Sequence, residues 1–167
     1  MRTSLPSDPI AEATRQWIQH GWEEAAAGMA GITSLMRAHQ IALARVEGVL
    51  QPFSVTFARY EVLMLLHFSR NGSLPMRVIG SLLQVHQTSV TNAVDRLEAA
   101  KLVRRRSHPT DRRATLIELT VTGSKLALKA TTALNNEVFT KPGVIPDSLT
   151  HLIKILGEFR HDAGDFT

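Results

Sequence analysis

The sequence predicts a mainly α-helical protein that carries one small β-hairpin. Apolar residues recur at helical spacing over most of the 167-residue chain. In the middle, two short helical stretches joined by a polar break precede "KLVRRRS" and "ATLIELT", two segments that are typical of short strands. Five arginines lie between residues 104 and 113, in and between those strands. Together these observations predict a helix-turn-helix followed by a basic hairpin wing.

The bulk composition indicates an ordinary globular chain. Hydrophobic residues make up 44% and charged residues 20% of the sequence, and the length favours a single domain over residues 1–167. Cysteine is absent, which excludes disulfides, thiolate zinc sites and thiol redox sensors. The formal charge of +4 favours a polyanionic partner. The N-terminus lacks the apolar core of a signal peptide, and no apolar run has the length of a membrane span, so we expect a cytoplasmic protein.

Capping residues mark the first two helices. Asp8 can cap a short helix, Pro9 suits its first turn, and Gly21 suits its end. A long apolar-periodic helix is predicted from about residue 23 to residue 50, and Pro52 ends it.

The later helices have similar signals. Thr56 can cap a mostly buried helix, and Thr120 can cap a long helix over about 121–139. A last helix is predicted to begin near Asp147 or Ser148 and to be apolar on one side.

The segment "QTSVTNAVDRLEAA" predicts an amphipathic helix with an unusual polar face. Val90, Val94 and Leu97 form one apolar stripe that can hold the helix against a core. The opposite face carries side chains that donate and accept hydrogen bonds: Gln87, Thr88, Ser89, Thr91, Asn92, Asp95 and Arg96. The second helix of a helix-turn-helix can project such a face into the major groove of DNA.

The chemistry of these side chains suits base and phosphate contacts. Gln87 and Asn92 can pair with adenine edges, and Arg96 can reach guanine or a phosphate. The hydroxyl-bearing residues can contact bases, thymine methyl groups or phosphates; these are Thr88, Ser89 and Thr91.

The turn "HPTDRRA" predicts a wing with arginines at its tip. A narrow minor groove attracts inserted arginine, so Arg112 and Arg113 are candidate DNA contacts, and Asp111 can hold a guanidinium in one rotamer. Arg104, Arg105 and Arg106 alternate between strand faces and cannot share one role; Arg106 is a further candidate for phosphate contact. The alternative is a solvated charge run with surface ion pairs.

The stretch "LQVHQTSVTNAVDRLEAAKLVRRRSHPTDRRATLIELTVTGSKL" resembles the core of the MarR family of winged helix-turn-helix regulators, and the likeness in helix order extends over about residues 23–162. The most specific part is Asp111 and Arg113 followed by an apolar strand that ends in Leu119 and Thr120. The resemblance implies that Arg113 enters the minor groove, that Asp111 steadies it, and that helix 87–99 lies in the major groove.

The resemblance also implies a homodimer on a pseudo-palindromic DNA operator. Residues 8–55 and 121–167 would then form the dimerisation helices, and residues 56–120 the DNA-binding lobe. Many members are repressors that small aromatic or anionic ligands release, which implies the same for this chain.

Several positions depart from the family pattern. Lys101 stands where the family usually has glycine at the end of the recognition helix, so it must adopt a left-handed conformation at a cost of about 1 kcal/mol or leave the helix differently. Gly80 stands where alanine is common. The absence of cysteine removes the peroxide-sensing branch of the family.

A candidate ligand pocket rests on a second likeness. The N-terminal helix with Trp17 resembles an extended subgroup that includes urate-type sensors, and His39 and Glu61 are further candidates for lining such a pocket. The alternative is that Trp17 and Trp22 pack at the dimer interface and that His39 is a core or interface residue.

Catalytic and metal chemistry find no support in the sequence. The seven histidines include no pair at i+3 or i+4, and neither a phosphate-binding glycine loop nor a nucleophile elbow is present. We therefore expect a protein that is no enzyme and uses no cofactor or metal. A winged protein-interaction module without DNA binding is the main alternative, and a small enzyme is the second.

Overall fold

The structure is a computed structural model, and it describes residues 4–83, 87–107 and 114–167. Its internal contacts divide the chain into one unit that ends at Arg45 and a second that begins at Val46. The secondary structure is mainly α-helical with one small antiparallel sheet, which confirms the predicted fold class.

The first unit is built from helices whose ends follow the predicted caps. Helix α1 spans Pro9–Gln19, and the Asp8 carboxylate accepts the N–H of Ile10 at 2.9 Å. Gly21 has a φ of +80°, which suits the turn that follows. Helix α2 spans Glu23–Leu50, so it begins in the first unit and ends in the second.

The helix-turn-helix lies in the second unit, behind a helix that supplies much of its core. The Thr56 side chain caps α3 by accepting the N–H of Arg59. Four α3 side chains are buried, among them Leu63 and Leu66 with no exposed surface. The bounds are Phe57–Phe68 for α3, Met76–Leu83 for α4 and Gln87–Ala99 for α5.

The wing belongs to a three-stranded antiparallel sheet in the order β1-β3-β2. The strands span Ser73–Pro75 for β1, Val103–Ser107 for β2 and Thr115–Leu119 for β3. Strands β2 and β3 are the predicted hairpin, whereas β1 is an addition that the sequence analysis missed. The N–H of Leu119 donates to the carbonyl of Gly72 at 2.8 Å, which fixes the start of β1 beside the end of β3.

The recognition helix α5 ends in a left-handed residue, as the family pattern demands of its glycine. Lys101 has a φ of +60°. Its N–H donates to the carbonyl of Glu98 at 2.8 Å, and the N–H of Leu102 donates to that of Leu97 at 2.9 Å. This pair of bonds is a Schellman motif with lysine at the position that glycine favours. The turn geometry is therefore kept at a conformational cost.

The beginning of the next helix is locked to that turn. The hydroxyl of Thr120 accepts the N–H of Gly123 at 2.9 Å, which caps helix α6, Val121–Leu134. The backbone N–H of Thr120 donates to the carbonyl of Leu102 at 3.1 Å. The end of the recognition helix, the end of the wing and the start of α6 thus meet at Leu102.

The C-terminal part differs from the prediction in two details. Helix α6 passes into one π-helical turn, Asn135–Phe139, before it ends. Helix α7 spans Pro146–Asp162 and begins with its proline, just before the predicted Asp147 or Ser148. Across the described ranges, none of the helices combines the length and apolar character that crossing a membrane requires.

Candidate nucleic-acid interface

The recognition helix α5 divides into a buried face and an exposed face. Val90, Val94 and Leu97 are at most 1% exposed and pack in the core of the second unit, which confirms the predicted stripe. Burying each of these apolar side chains contributes roughly 1.5–3 kcal/mol to the free energy of folding. The helix therefore cannot roll, and its polar face keeps a fixed direction.

Most of the predicted contact residues lie on the exposed face. Thr88, Ser89, Asn92 and Arg96 are exposed, and Thr91 is half-buried at the edge of the stripe. Thr88, Asn92 and Arg96 are spaced by four residues, so they follow one line along the helix. Gln87 is the first residue of α5, but its side chain lies outside the described part of the structure.

The tip of the wing also lies outside the described residues. This applies to Asp111, Arg112 and Arg113, so their predicted contacts with DNA stay predictions. Arg106, the remaining wing candidate, is exposed near the end of β2.

One wing arginine is bound to the recognition helix. Arg105 of β2 reaches back to α5, where its Nη2 lies 2.5 Å from Oδ1 of Asp95 and its Nη1 pairs with Oε2 of Glu98. The backbone N–H of Arg105 donates to the other oxygen of Glu98 at 2.9 Å. We call these three residues the Arg105 clamp. It ties the wing to the recognition helix, and its guanidinium offsets one of the two negative charges that would repel DNA.

A second carboxylate pairs with the two flanking arginines. Arg104 lies opposite Glu118 in the β2–β3 register, and its Nη2 is 2.5 Å from Oε1 of Glu118. The Nε of Arg106 is 3.2 Å from Oε2 of the same carboxylate. The hydrogen bond from Arg104 and the nearby positive charge lower the pKa of Glu118 below its ordinary value. Arg104 and Arg106 are more than half exposed, so each can exchange Glu118 for a phosphate.

One cation beside the exposed face of α5, Arg59, was not predicted from the sequence. Arg59, in the first turn of α3, lines an open groove together with Arg96 of α5. The other groove residues are small or polar: Thr56, Ala58, Ser89, Asn92 and Ala93. Arg59 had no signal in the linear sequence, because its helix was interpreted only as part of the core.

Of the three candidate ligand-pocket residues, Trp17 and His39 belong to the first unit and Glu61 belongs to the second. Trp17 of α1 is half-buried, and its ring packs edge-on against Trp22 with 5.3 Å between the ring centroids. His39 of α2 is exposed. Glu61 of α3 is half-buried, and burial raises the pKa of its carboxyl above the ordinary value. A pocket that uses all three stays a prediction.

Metal-binding side chains are scattered over the molecule. Within the part of the chain that the structure describes, no three histidine, aspartate or glutamate side chains gather as a metal site. The two carboxylates of α5, those of Asp95 and Glu98, pair with the guanidinium of Arg105.

Known proteins of similar sequence and structure identify the family of this chain. Residues 53–114 match the sequence profile described as the MarR family. The chain is 35% identical over 85 residues to the uncharacterized HTH-type transcriptional regulator YhbI of Bacillus subtilis, which covers 51% of this chain and 54% of that protein. The chain thus spans about half the length of this curated relative.

Solved structures extend the match to most of the chain. The crystal structure of Sco5413, a MarR family transcriptional regulator from Streptomyces coelicolor, is 44% identical with a TM-score of 0.77, covering 84% of this chain and 97% of that one. Sco3205, a MarR family regulator of the same organism solved in complex with DNA, has the same fold at 23% identity, with a TM-score of 0.69 and coverage of 78% and 87%. The protein therefore belongs to the MarR family of transcriptional regulators.

Proposed function

We propose that this protein binds a pseudo-palindromic DNA operator as a homodimer, with α5 in the major groove and the wing at the adjacent minor groove. The observation that carries the proposal is the division of α5 into a fully buried apolar stripe and an exposed face of hydroxyl, amide and guanidinium groups. Such a face matches the donors and acceptors on base edges in the major groove. The relative Sco3205, solved with DNA, supports the same use of the fold.

The exposed apolar surface supports a dimer. In α7, Ile153 and Ile155 are 63% and 61% exposed, and Phe159 is 51% exposed. In α2, Ile32 and Met36 are 50% and 60% exposed. Apolar stripes of this kind mark a partner surface rather than a solvated one. A two-fold dimer places its recognition helices about one DNA turn apart, roughly 34–36 Å.

The proposal includes repression and release by a small aromatic or anionic ligand. The half-buried Glu61 carboxyl, whose pKa burial raises, is one candidate for contact with such a ligand. Ligands that raise the melting temperature should also lower operator affinity. Stabilising ligands that leave operator affinity unchanged would remove this element and keep the DNA-binding proposal intact.

Selection of bound duplexes from a random pool tests the proposal. We expect one enriched sequence with two inverted half-sites, and an affinity that falls steeply with salt. Asn92→Ala should relax the preference at one base pair per half-site and cost about 1–3 kcal/mol for each lost base contact. Arg113→Ala should weaken binding while the dimer stays folded. A pool that shows no enrichment would favour the protein-interaction alternative.

A further inference from the structure

The groove between α3 and α5 has the charge and the donors of a phosphate site. Arg59 and Arg96 approach it from two different helices, and the remaining polar groups that line it are the hydroxyls of Thr56 and Ser89 and the amide of Asn92. Among the described residues, no carboxylate belongs to this lining. The surface therefore offers hydrogen-bond donors and positive charge to an anion.

Arg59 is held in place without a counter-ion. It is half-buried, and its Nε donates to the hydroxyl of Thr56 at 3.1 Å. Over residues 4–83, 87–107 and 114–167, neither Arg59 nor Arg96 forms an ion pair with a carboxylate. Partial burial of a guanidinium without a carboxylate partner costs desolvation free energy, and hydrogen bonds to a bound anion would offset that cost.

The neighbouring carboxylates are already engaged elsewhere. Asp95 and Glu98 of α5 pair with Arg105 in the clamp, and neither forms an ion pair with Arg96. Glu47 of α2 accepts the N–H of Phe57 at 2.8 Å, which satisfies one donor at the start of α3, and it does not line the groove. The guanidinium groups of Arg59 and Arg96 are therefore not paired with these neighbouring carboxylates.

We propose that this groove binds one DNA backbone phosphate between Arg59 and Arg96, so that Arg59 is a DNA contact outside the helix-turn-helix. The inference rests on the proposed function, because the phosphate is that of the duplex whose bases face α5. Guanidinium groups bind phosphate oxygens in a fixed fork geometry, and Thr56 orients one of them in advance. Phosphate contacts fix the orientation of a recognition helix without reading sequence.

The test compares Arg59→Gln with Arg70→Gln on the selected duplex and on a scrambled one. Arg70 is exposed and follows the other end of α3, a helix about 18 Å long, so the control removes the same charge far from the groove. Each phosphate contact adds about 0.9 to the slope of log affinity against log salt, and a dimer has two such contacts. Arg59→Gln should therefore reduce the slope by up to about 1.8 and weaken binding by up to about thirtyfold at about 0.15 M salt, on both duplexes, because Arg96 keeps part of each contact.

A second measurement locates the contact. A duplex with one neutral methylphosphonate at the contacted position should weaken binding to the wild type more than it weakens binding to Arg59→Gln, in which only Arg96 still contacts that phosphate. Arg59→Lys, which keeps the charge and loses the fork, should fall between the wild type and Arg59→Gln. Melting temperatures near that of the wild type will show that both variants fold.

The outcomes separate this inference from the proposed function. If Arg59→Gln keeps the affinity and salt slope of Arg70→Gln, the groove is no phosphate site, and DNA binding through α5 still stands. If the wild type binds no duplex, the proposed function fails and the inference fails with it.

Discussion

Replacing Arg105 with glutamine breaks the Arg105 clamp while leaving every proposed DNA contact in place. The change removes both ion pairs between β2 and α5, with Asp95 and with Glu98. The backbone N–H of residue 105 can still donate to Glu98. The side chains of these pairs are 30% to 53% exposed, so solvent screens them, and the loss of folding stability should be only about 1–2 kcal/mol for the two.

The effect on DNA binding distinguishes charge from position. A unit charge about 10 Å from a phosphate contributes about 0.4 kcal/mol in water, and physiological salt reduces that further. Charge alone therefore predicts no more than about a fivefold loss for a dimer. A recognition helix that shifts loses base contacts worth about 1–3 kcal/mol each, which predicts at least about a thirtyfold loss over two half-sites.

Fluorescence anisotropy on the selected and scrambled duplexes measures the difference. We expect Arg105→Gln to lose at least about thirtyfold on the selected duplex and less than about fivefold on the scrambled one. Adding Asp95→Asn and Glu98→Gln removes the negative charge without rebuilding the clamp, so the triple variant should stay weak. Lys154→Gln, which also breaks an exposed ion pair, is the control. Full recovery in the triple variant would show that the clamp acts only through charge.

Three stability predictions follow from the backbone and from burial. A Cβ on Gly123 would lie 2.0 Å from the carbonyl oxygen of Leu102, so Gly123→Ala should lower the free energy of unfolding in urea by about 3 kcal/mol or more. Gly48 has open space around it, so Gly48→Ala should raise the free energy of unfolding by up to about 1 kcal/mol. Equal effects of the two substitutions would refute the close contact at Gly123. Lys101→Gly relieves a left-handed lysine and should stabilise by about 1 kcal/mol, and Lys101→Ala, which keeps the strain, should not. The raised pKa of Glu61 means that the folded state binds its proton more tightly than the unfolded state, so wild-type stability falls as the pH rises through that pKa. Glu61→Gln should therefore raise the melting temperature at pH 7. The difference in melting temperature between the variant and the wild type should vanish below about pH 4, where Glu61 is protonated in both states.

Local chemistry explains why most helix boundaries could be predicted. Asp8, Thr56 and Thr120 each accept a backbone N–H at the start of a helix, which is a property of one residue and its next few neighbours. The stripe of Val90, Val94 and Leu97 follows from helical periodicity alone. Such signals need no knowledge of the rest of the chain.

The missed features all depend on pairing between distant segments. Strand β1 is three residues long and ends in Pro75, so its extended form comes from pairing with β3 rather than from its own sequence. The sequence does not distinguish Arg105 from the neighbouring arginines, because its contact with α5 depends on the cross-strand register of β2 and β3. Arg59 could not be identified as a candidate phosphate contact from the sequence, because the groove that it lines forms between α3 and α5.

The pairing of charges also determines what DNA affinity can depend on. Along α5 and the paired strands, Asp95, Glu98 and Glu118 offset most of the charge of the arginines that they contact. Those pairs orient the recognition helix and the wing but add little long-range attraction, because opposite charges in contact largely cancel at distances beyond their separation and salt screens what remains. Cations that no carboxylate holds can attract the phosphate backbone directly, and among the described residues of the groove between α3 and α5 these are Arg59 and Arg96. The internal pairs thus position the recognition helix for base contacts, while contacts with phosphate supply an affinity that falls with salt.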